Sequence, residues 1–308
     1  MDVGVHLPLA DLGEGLPGGA ELRAYVASAA DLGFALVAAN DHLVWRRPWL
    51  DGLTALASVV ESAGGMTLAT SVALPGVRHP VVLAKAIASL AVLSDGPVIA
   101  GLGPGSSPDD YRAVGVPFEE RWARFDEGLH TVRALLRGEP ASDGRYYQVE
   151  GLRLDPLPTR TPQVWFGSWG SDVRLRRMAA VADGWLASAY NTTPERFADA
   201  RARLDDHLAA AGRDPTTFPD AVATAWMYVS HDADEAAHVL EHVLAPLLGR
   251  DPDELAAQLP VGSPEHCIDL LTAYAAAGAQ RVLVWPVHDA SRQLELFAEE
   301  VRPHLARA

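Results

Sequence analysis

The sequence predicts an α/β protein built as a TIM (β/α)8 barrel, and three observations lead there. Short apolar or β-branched runs alternate with longer segments of helical period along the whole chain. Eight such strand-then-helix units fit within the 308 residues, more strands than an open doubly wound sheet usually holds. The strand candidates also turn polar or glycine-rich where they end, as they must if a site forms at the C-terminal ends of barrel strands.

The elements follow in order. The first strand, VGVHL from Val3, leads to a helical pattern over residues 20–32, and FALVAA from Phe34 leads to one over 53–62. TLATSVAL from Thr67 precedes helix 81–93, and PVIAGL from Pro97 precedes helix 119–136. QVWFG from Gln163 and GWLAS from Gly184 are followed by helices 173–182 and 194–211. AVATAWMYV from Ala221 is followed by helical stretches 232–244 and 264–277, and RVLVWPV from Arg281 by a last helix over 292–305. Thr193-Pro194 and Ser263-Pro264 are strong helix starts, a hydroxyl cap followed by a residue whose fixed φ suits the first helical position. Two stretches exceed the minimal repeat: 138–162, a hairpin-like insertion after strand four, and 245–262, extra helix and loop after strand seven. Neither has linker composition, so residues 1–308 are expected to form a single barrel domain.

Composition narrows the function. The chain is 49% hydrophobic and 21% charged with a formal net charge of −15, and it has no Lys/Arg run, so nucleic acid and anionic membrane are disfavoured partners. No window approaches the ~18 apolar residues of a membrane span. The start MDVGVHLPL lacks the charged head and long apolar stretch of a signal peptide, which predicts a cytoplasmic protein acting on a small molecule. The single cysteine, Cys267, excludes an internal disulfide and reads as a small buried hydrophobe within SPEHCIDLL.

Three motifs are deceptive. GEGLPG, residues 13–18, has the form of a dinucleotide-binding glycine turn. However, Pro8 and LADL separate it from the strand, and Glu14 would bring negative charge towards a phosphate. HVLEH, residues 238–242, has zinc-site spacing but lies on an amphipathic helix without a third ligand, so no metal is expected. GLGPG, residues 101–105, lacks the Lys-Ser/Thr of a P-loop and shows only that backbone passes close to something.

The candidate site lies at the strand ends: His6; Asn40, Asp41 and His42; Ser71; residues 103–106; residues 168–171; residues 188–191; Trp285 and His288. Small residues opening a helix at 168–171 present free N–H groups to an anion. Trp45, Trp49, Trp169, Tyr190 and Trp285 are candidates to wall an apolar pocket or to fill the core.

The order of ADLGFALVAANDHL, TLATSVAL, RHPVVLAKAIASL, the glycine-rich turn before GVPFEERWARFDE, and ADGW resembles the bacterial luciferase-like monooxygenase superfamily over nearly the whole chain. The resemblance implies a barrel, often a homodimer, that binds FMN or the deazaflavin coenzyme F420 at its C-terminal face. It also implies a non-prolyl cis peptide at Ser71-Val72, against which the coenzyme ring stacks. The short chain, the NDH end of strand two and the Ser-Val step are most similar to the F420-dependent oxidoreductase branch. By that resemblance Asp41 and His42 flank ring and substrate, Gly103, Pro104, Gly105 and Ser106 lie along the coenzyme, and Ser168, Trp169, Gly170 and Ser171 meet its phosphate arm. The branch's sugar-phosphate dehydrogenases carry a catalytic glutamate where this chain has Ser106, which disfavours sugar-phosphate chemistry here. The reaction implied is hydride transfer between coenzyme and an alcohol, carbonyl or activated alkene. His42 suits the accompanying proton step near neutral pH, and Asp41 is placed to orient it if the strand bends there. The alternatives are an FMN-dependent monooxygenase and a coenzyme-binding protein without catalysis.

Overall fold

The computed structural model describes residues 1–305. Its strands are β1 Asp2–His6, β2 Leu36–Ala39, β3 Thr67–Thr70, β4 Val98–Leu102, β5 Gln163–Gly167, β6 Gly184–Ser188, β7 Asp220–Val229, β8 Val261–Gly262 and β9 Arg281–Pro286. All pair in parallel, in the order β6-β5-β4-β3-β2-β1-β9-β7-β8, and a further pairing of β6 with β7 closes the ring. The barrel is therefore β1 to β7 plus β9, the eight predicted strands. The two-residue β8 is an addition that extends β7, with Tyr228 opposite Val261.

Helices on the outside explain why these strands read as continuous apolar runs: every residue of β2 and β4 is buried. Inside the ring lies a compact cluster of Leu36, Ala38, Ala69, Ile99, Trp165, Leu186, Ala221, Ala223 and Leu283. Alanines opposite Trp165 and the leucines let one bulky layer fill the interior, so the barrel is a packed core rather than a channel.

The structure departs from the sequence reading in several places, among them the last helix, which turns π-helical over Phe297–Val301. Strand three stops at Thr70 rather than running on to Leu74, and the Ser71-Val72 peptide that follows is cis; the chain rejoins the sheet at Ala73, which bridges to Leu102. The helix expected over 53–62 is two, Gly52–Ser58 and Val60–Ala63, separated at Val59. The helix from 232 becomes π-helical over Val239–Leu244. Insertion 138–162 forms no regular strand, although its arms meet where Ala141 N donates to Leu152 O at 3.0 Å and Gly151 N to Ala141 O at 2.9 Å. One carboxylate anchors it, since Glu127 on the preceding helix accepts from the amides of Arg145, Tyr146 and Tyr147. The second insertion folds as helices Ala245–Leu248 and Pro252–Gln258 before β8. Among the described residues no helix is long and apolar enough to cross a membrane.

Two of the three deceptive motifs have local surroundings of their own. His238 and His242 stack at 4.6 Å on an exposed face, and no group of three metal-ligating side chains exists among the described residues. Glu14, within the 13–18 glycine turn, accepts from the amide of Asp289. Burial pushes the Cys267 thiol up to about 12.

His6, expected at the site, is instead fully buried behind it. Its ring stacks on Trp285 at 4.3 Å, Trp285 stacks on Trp226 at 4.1 Å, and Nε2 accepts from the Thr224 amide at 3.3 Å. Nδ1 has no partner, and burial drives the pKa down to about 3. A depressed folded-state pKa means that the unfolded chain binds the proton first. This contribution to stability is therefore complete above the ordinary value near 6.5 and is lost as pH falls towards 3. In urea titrations between pH 6 and 4 the wild type should lose about 1.4 kcal/mol per pH unit more than His6→Phe, which keeps the stack without the titrating group. Equal slopes would mean that His6 is not held neutral.

Candidate active site

A cavity of about 750 Å³ opens at the C-terminal ends of the strands, within the range of small-molecule and coenzyme sites. A second one of about 270 Å³ adjoins it and shares Asn40, His42, Ser106, Trp169, Tyr190 and Thr224. The larger cavity is lined by every residue the sequence nominated for coenzyme contact: Asp41, Ser71, Val72, Gly103, Pro104, Gly105, Ser106, Ser168, Trp169, Gly170 and Ser171. Of the other strand ends, Ser188 and Tyr190 line it, Trp285 and Asn191 line the smaller one, and His288 lines neither.

The floor is set by the bulge after β3. Asn40 Nδ2 donates to Ser71 O at 3.1 Å and Ala73 N donates to Gly101 O at 2.8 Å, fixing the chain on both sides of the cis bond. The Val72 side chain then wedges between two glycines: a Cβ on Gly103 would lie 2.6 Å from Val72 Cγ2, and one on Gly167 would lie 2.7 Å from Val72 Cγ1. No other residue fits at either position without moving Val72.

His42 stands at the junction of the cavities. Its Nδ1 is 2.7 Å from Asp110 Oδ2, while Asp110 Oδ1 accepts from the amides of Leu43 at 2.8 Å and Val44 at 2.9 Å. An ionised carboxylate can only accept, so Nδ1 carries the hydrogen and the Nε2 lone pair remains for chemistry. Trp45 and Trp49 hold the ring from two sides, at centroid distances of 4.1 and 4.8 Å.

The carboxylate that orients His42 is thus Asp110, not its neighbour Asp41. As alternation along an extended chain requires, Asp41 turns the other way and takes a two-pronged contact from Arg78, Nε at 2.9 Å and Nη2 at 2.7 Å, with the amide of Leu74 at 3.3 Å. Arg78 also meets Asp51. Burial works against its charge, but the hydrogen bonds and fields of the two carboxylates outweigh it and hold the guanidinium above its ordinary range. Asp41 therefore ties the end of β2 to the loop beyond the cis bond.

At the other end the larger cavity is basic. The helix Asp172–Val181 opens on Ser171, whose side chain caps nothing, and the bend before it is set by Gly170 at φ 85° with its amide on Ser168 Oγ. Its first amides point free at the helix start. Arg174 lies 3.5 Å over the Trp122 ring and Arg121 4.1 Å over Phe118, and among the described residues neither forms an ion pair. Arg203 lines the same region but is paired with Asp199. Burial lowers the pKa of Arg174, with Arg121 adding to it against Asp126. An anion at this end would relieve that cost.

Sequence reasoning missed Asp110, Arg121 and Arg174. Asp110 follows Ser107-Pro108, where an acid in a first helical turn already has an ordinary explanation. The arginines lie in EERWARF and DVRLRRM, which read as solvated helix faces.

A chamber of this kind at the strand ends of a closed parallel barrel is the mark of a barrel enzyme. The chain belongs to the luciferase-like monooxygenase family, whose sequence model matches residues 1–253. It is 29% identical to an F420-dependent hydroxymycolic acid dehydrogenase of Mycobacterium tuberculosis, over 92% of this chain and 84% of that one. It is 30% identical to a 5,10-methylenetetrahydromethanopterin reductase of Archaeoglobus fulgidus, over 75% of this chain and 67% of that one. Among solved structures, an F420-dependent secondary alcohol dehydrogenase in complex with an F420-acetone adduct superposes with a TM-score of 0.87 at 16% identity, covering 99% of each chain, a likeness that establishes the fold.

Removing one member of a buried ion pair strands the other, so Asp41→Ala should cost about 3 kcal/mol in urea unfolding. A cost below about 1 kcal/mol, as for exposed pairs, would return Asp41 to a direct role beside the ring.

Proposed function

We propose that the protein is an F420-dependent oxidoreductase that transfers a hydride between the deazaflavin coenzyme and an alcohol or carbonyl substrate. The observation that carries this reading is His42, oriented by Asp110 and placed where the larger cavity, with arginines in its lining, meets a small aromatic one. The relatives' F420 chemistry supports it.

The residues fit such a coenzyme. Its anionic arm needs cations and free amides, which Arg121, Arg174 and the helix start at Ser171 supply. Its flat ring needs an apolar slot, for which Val72, Leu186, Ala187 and Ala223 line the larger cavity. When bound, the coenzyme accepts or returns two electrons with the hydrogen from the substrate carbon. His42 Nε2 takes the hydroxyl proton as the alcohol becomes a carbonyl, and gives it back in the reverse direction. Asp110 steadies the imidazolium formed, and keeps Nε2 aimed by holding Nδ1 and the adjoining loop together. Ser106, which faces both cavities, has a hydroxyl too weakly acidic to replace His42. A homodimer, on the resemblance, and a cytoplasmic location, on the single cysteine that suits a reducing compartment, complete the proposal.

Titration with each coenzyme should show F420 binding more tightly than FMN. His42→Ala should lower single-turnover hydride transfer by about 10²- to 10⁴-fold with coenzyme affinity changed much less, and Ser106→Ala should cost far less. Binding of FMN alone would favour the monooxygenase reading. Full turnover in His42→Ala would remove the acid/base assignment.

Arg121→Ala/Arg174→Ala should weaken F420 binding by about tenfold or more, with the loss shrinking in high salt as far as solvent reaches these half-buried charges. Unchanged affinity would put the anionic arm elsewhere.

A further inference from the structure

The smaller cavity carries its own chemical signature. Trp45, Trp49, Trp226 and Trp285 line it, with Trp169 and Tyr190 at the shared boundary. The rings form one continuous surface starting at His42: His42 to Trp49 at 4.8 Å, Trp49 to Trp285 at 5.7 Å, and Trp285 to Trp226 at 4.1 Å. Trp45, Trp49 and Trp226 bury their indole nitrogens without partners, so what they offer the cavity is carbon. Such walls favour a flat, polarisable body over an aliphatic or polyhydroxylated one.

The charge at this cavity is one-sided. Arg46 and Arg250 line it, no Asp or Glu does, and among the described residues neither arginine is in an ion pair. Arg46 donates to Pro246 O at 3.3 Å, and Arg250 donates to the Asn191 side chain. Both contacts hold exposed arginines at the cavity through neutral oxygens, leaving their charges uncompensated in a chain whose net charge is −15. Two guanidinium forks at the edge of an aromatic chamber are built to recognise a carboxylate.

We infer that the substrate of this site is an aryl carboxylate: an aromatic body lying against the tryptophans, a carboxylate at Arg46 and Arg250, and the carbinol or carbonyl carbon at His42. The inference rests on the proposed oxidoreductase reading for its chemistry and changes nothing in that redox balance. It adds the class of molecule, and the volume of about 270 Å³ restricts it to a small one.

The test is direct binding to the coenzyme-free protein, followed by tryptophan fluorescence and calorimetry, so it needs no turnover. The probes are 4-oxo-4-phenylbutanoate, its methyl ester, the cyclohexyl analogue of the acid, and glucose 6-phosphate. The aryl acid should bind about tenfold or more tightly than any of the other three and should quench the indole emission. Arg46→Ala/Arg250→Ala, two exposed positions that fold without difficulty, should remove about tenfold or more of the acid's affinity while leaving that of the ester unchanged. Trp49→Leu should weaken acid and ester together. The inference is overturned if the acid does not bind, if ester or cyclohexyl acid binds as tightly as the aryl acid, if glucose 6-phosphate binds best, or if the double variant binds the acid normally. Aryl acid binding with no F420 binding would sink the F420-dependent reading and leave the ligand class standing; the reverse result would do the opposite.

Discussion

The Asp110 carboxylate is the constraint on which the site depends. It is buried, it comes from the helix Pro108–Ala113 after β4, and its two oxygens reach His42 and the amides of Leu43 and Val44 in the loop after β2. The two elements are not neighbours in sequence, and β3 lies between them in the sheet. One acidic side chain therefore sets the imidazole tautomer and ties the loop after β2 to the helix after β4. Charge-assisted bonds to a buried carboxylate are among the stronger polar contacts a protein can make. This one is spent on positioning.

The same economy governs the floor. The cis bond at Ser71-Val72 stands between restraints from β2 and β4, the Asn40 amide on one side and Gly101 O on the other. The Val72 side chain enters a seat that exists only because residues 103 and 167 lack a Cβ. Asp41 and Arg78 fasten the loop beyond it. Cavity floor, imidazole and aromatic chamber are thus held by contacts between successive strand ends, which explains how loops of ordinary length keep these groups in place.

Much of this was legible in the residues. Alternating apolar runs and helical stretches gave the eight barrel strands, since the two periods report which faces are covered. Polar strand ends located the chamber, and the glycine and serine turns at 103–106 and 168–171 fell on its wall. What failed to show was pairing across the fold. His42 was assigned its sequence neighbour Asp41, yet adjacent extended residues face opposite ways, and the partner lies 68 positions on. His6 looked like a site residue by its place in β1, but the Trp285 ring that covers it comes from the other end of the chain.

The sequence by itself determined the barrel, the end of it where the cavity opens and the small-residue turns that line that cavity, because each follows from periodicity and backbone freedom within a few neighbouring residues. Only the tertiary structure decided which carboxylate holds His42, which arginines line the larger cavity and which tryptophans share a wall. Those are relations among side chains from different strands, and nothing local in the chain records how eight strand ends converge when the sheet closes on itself.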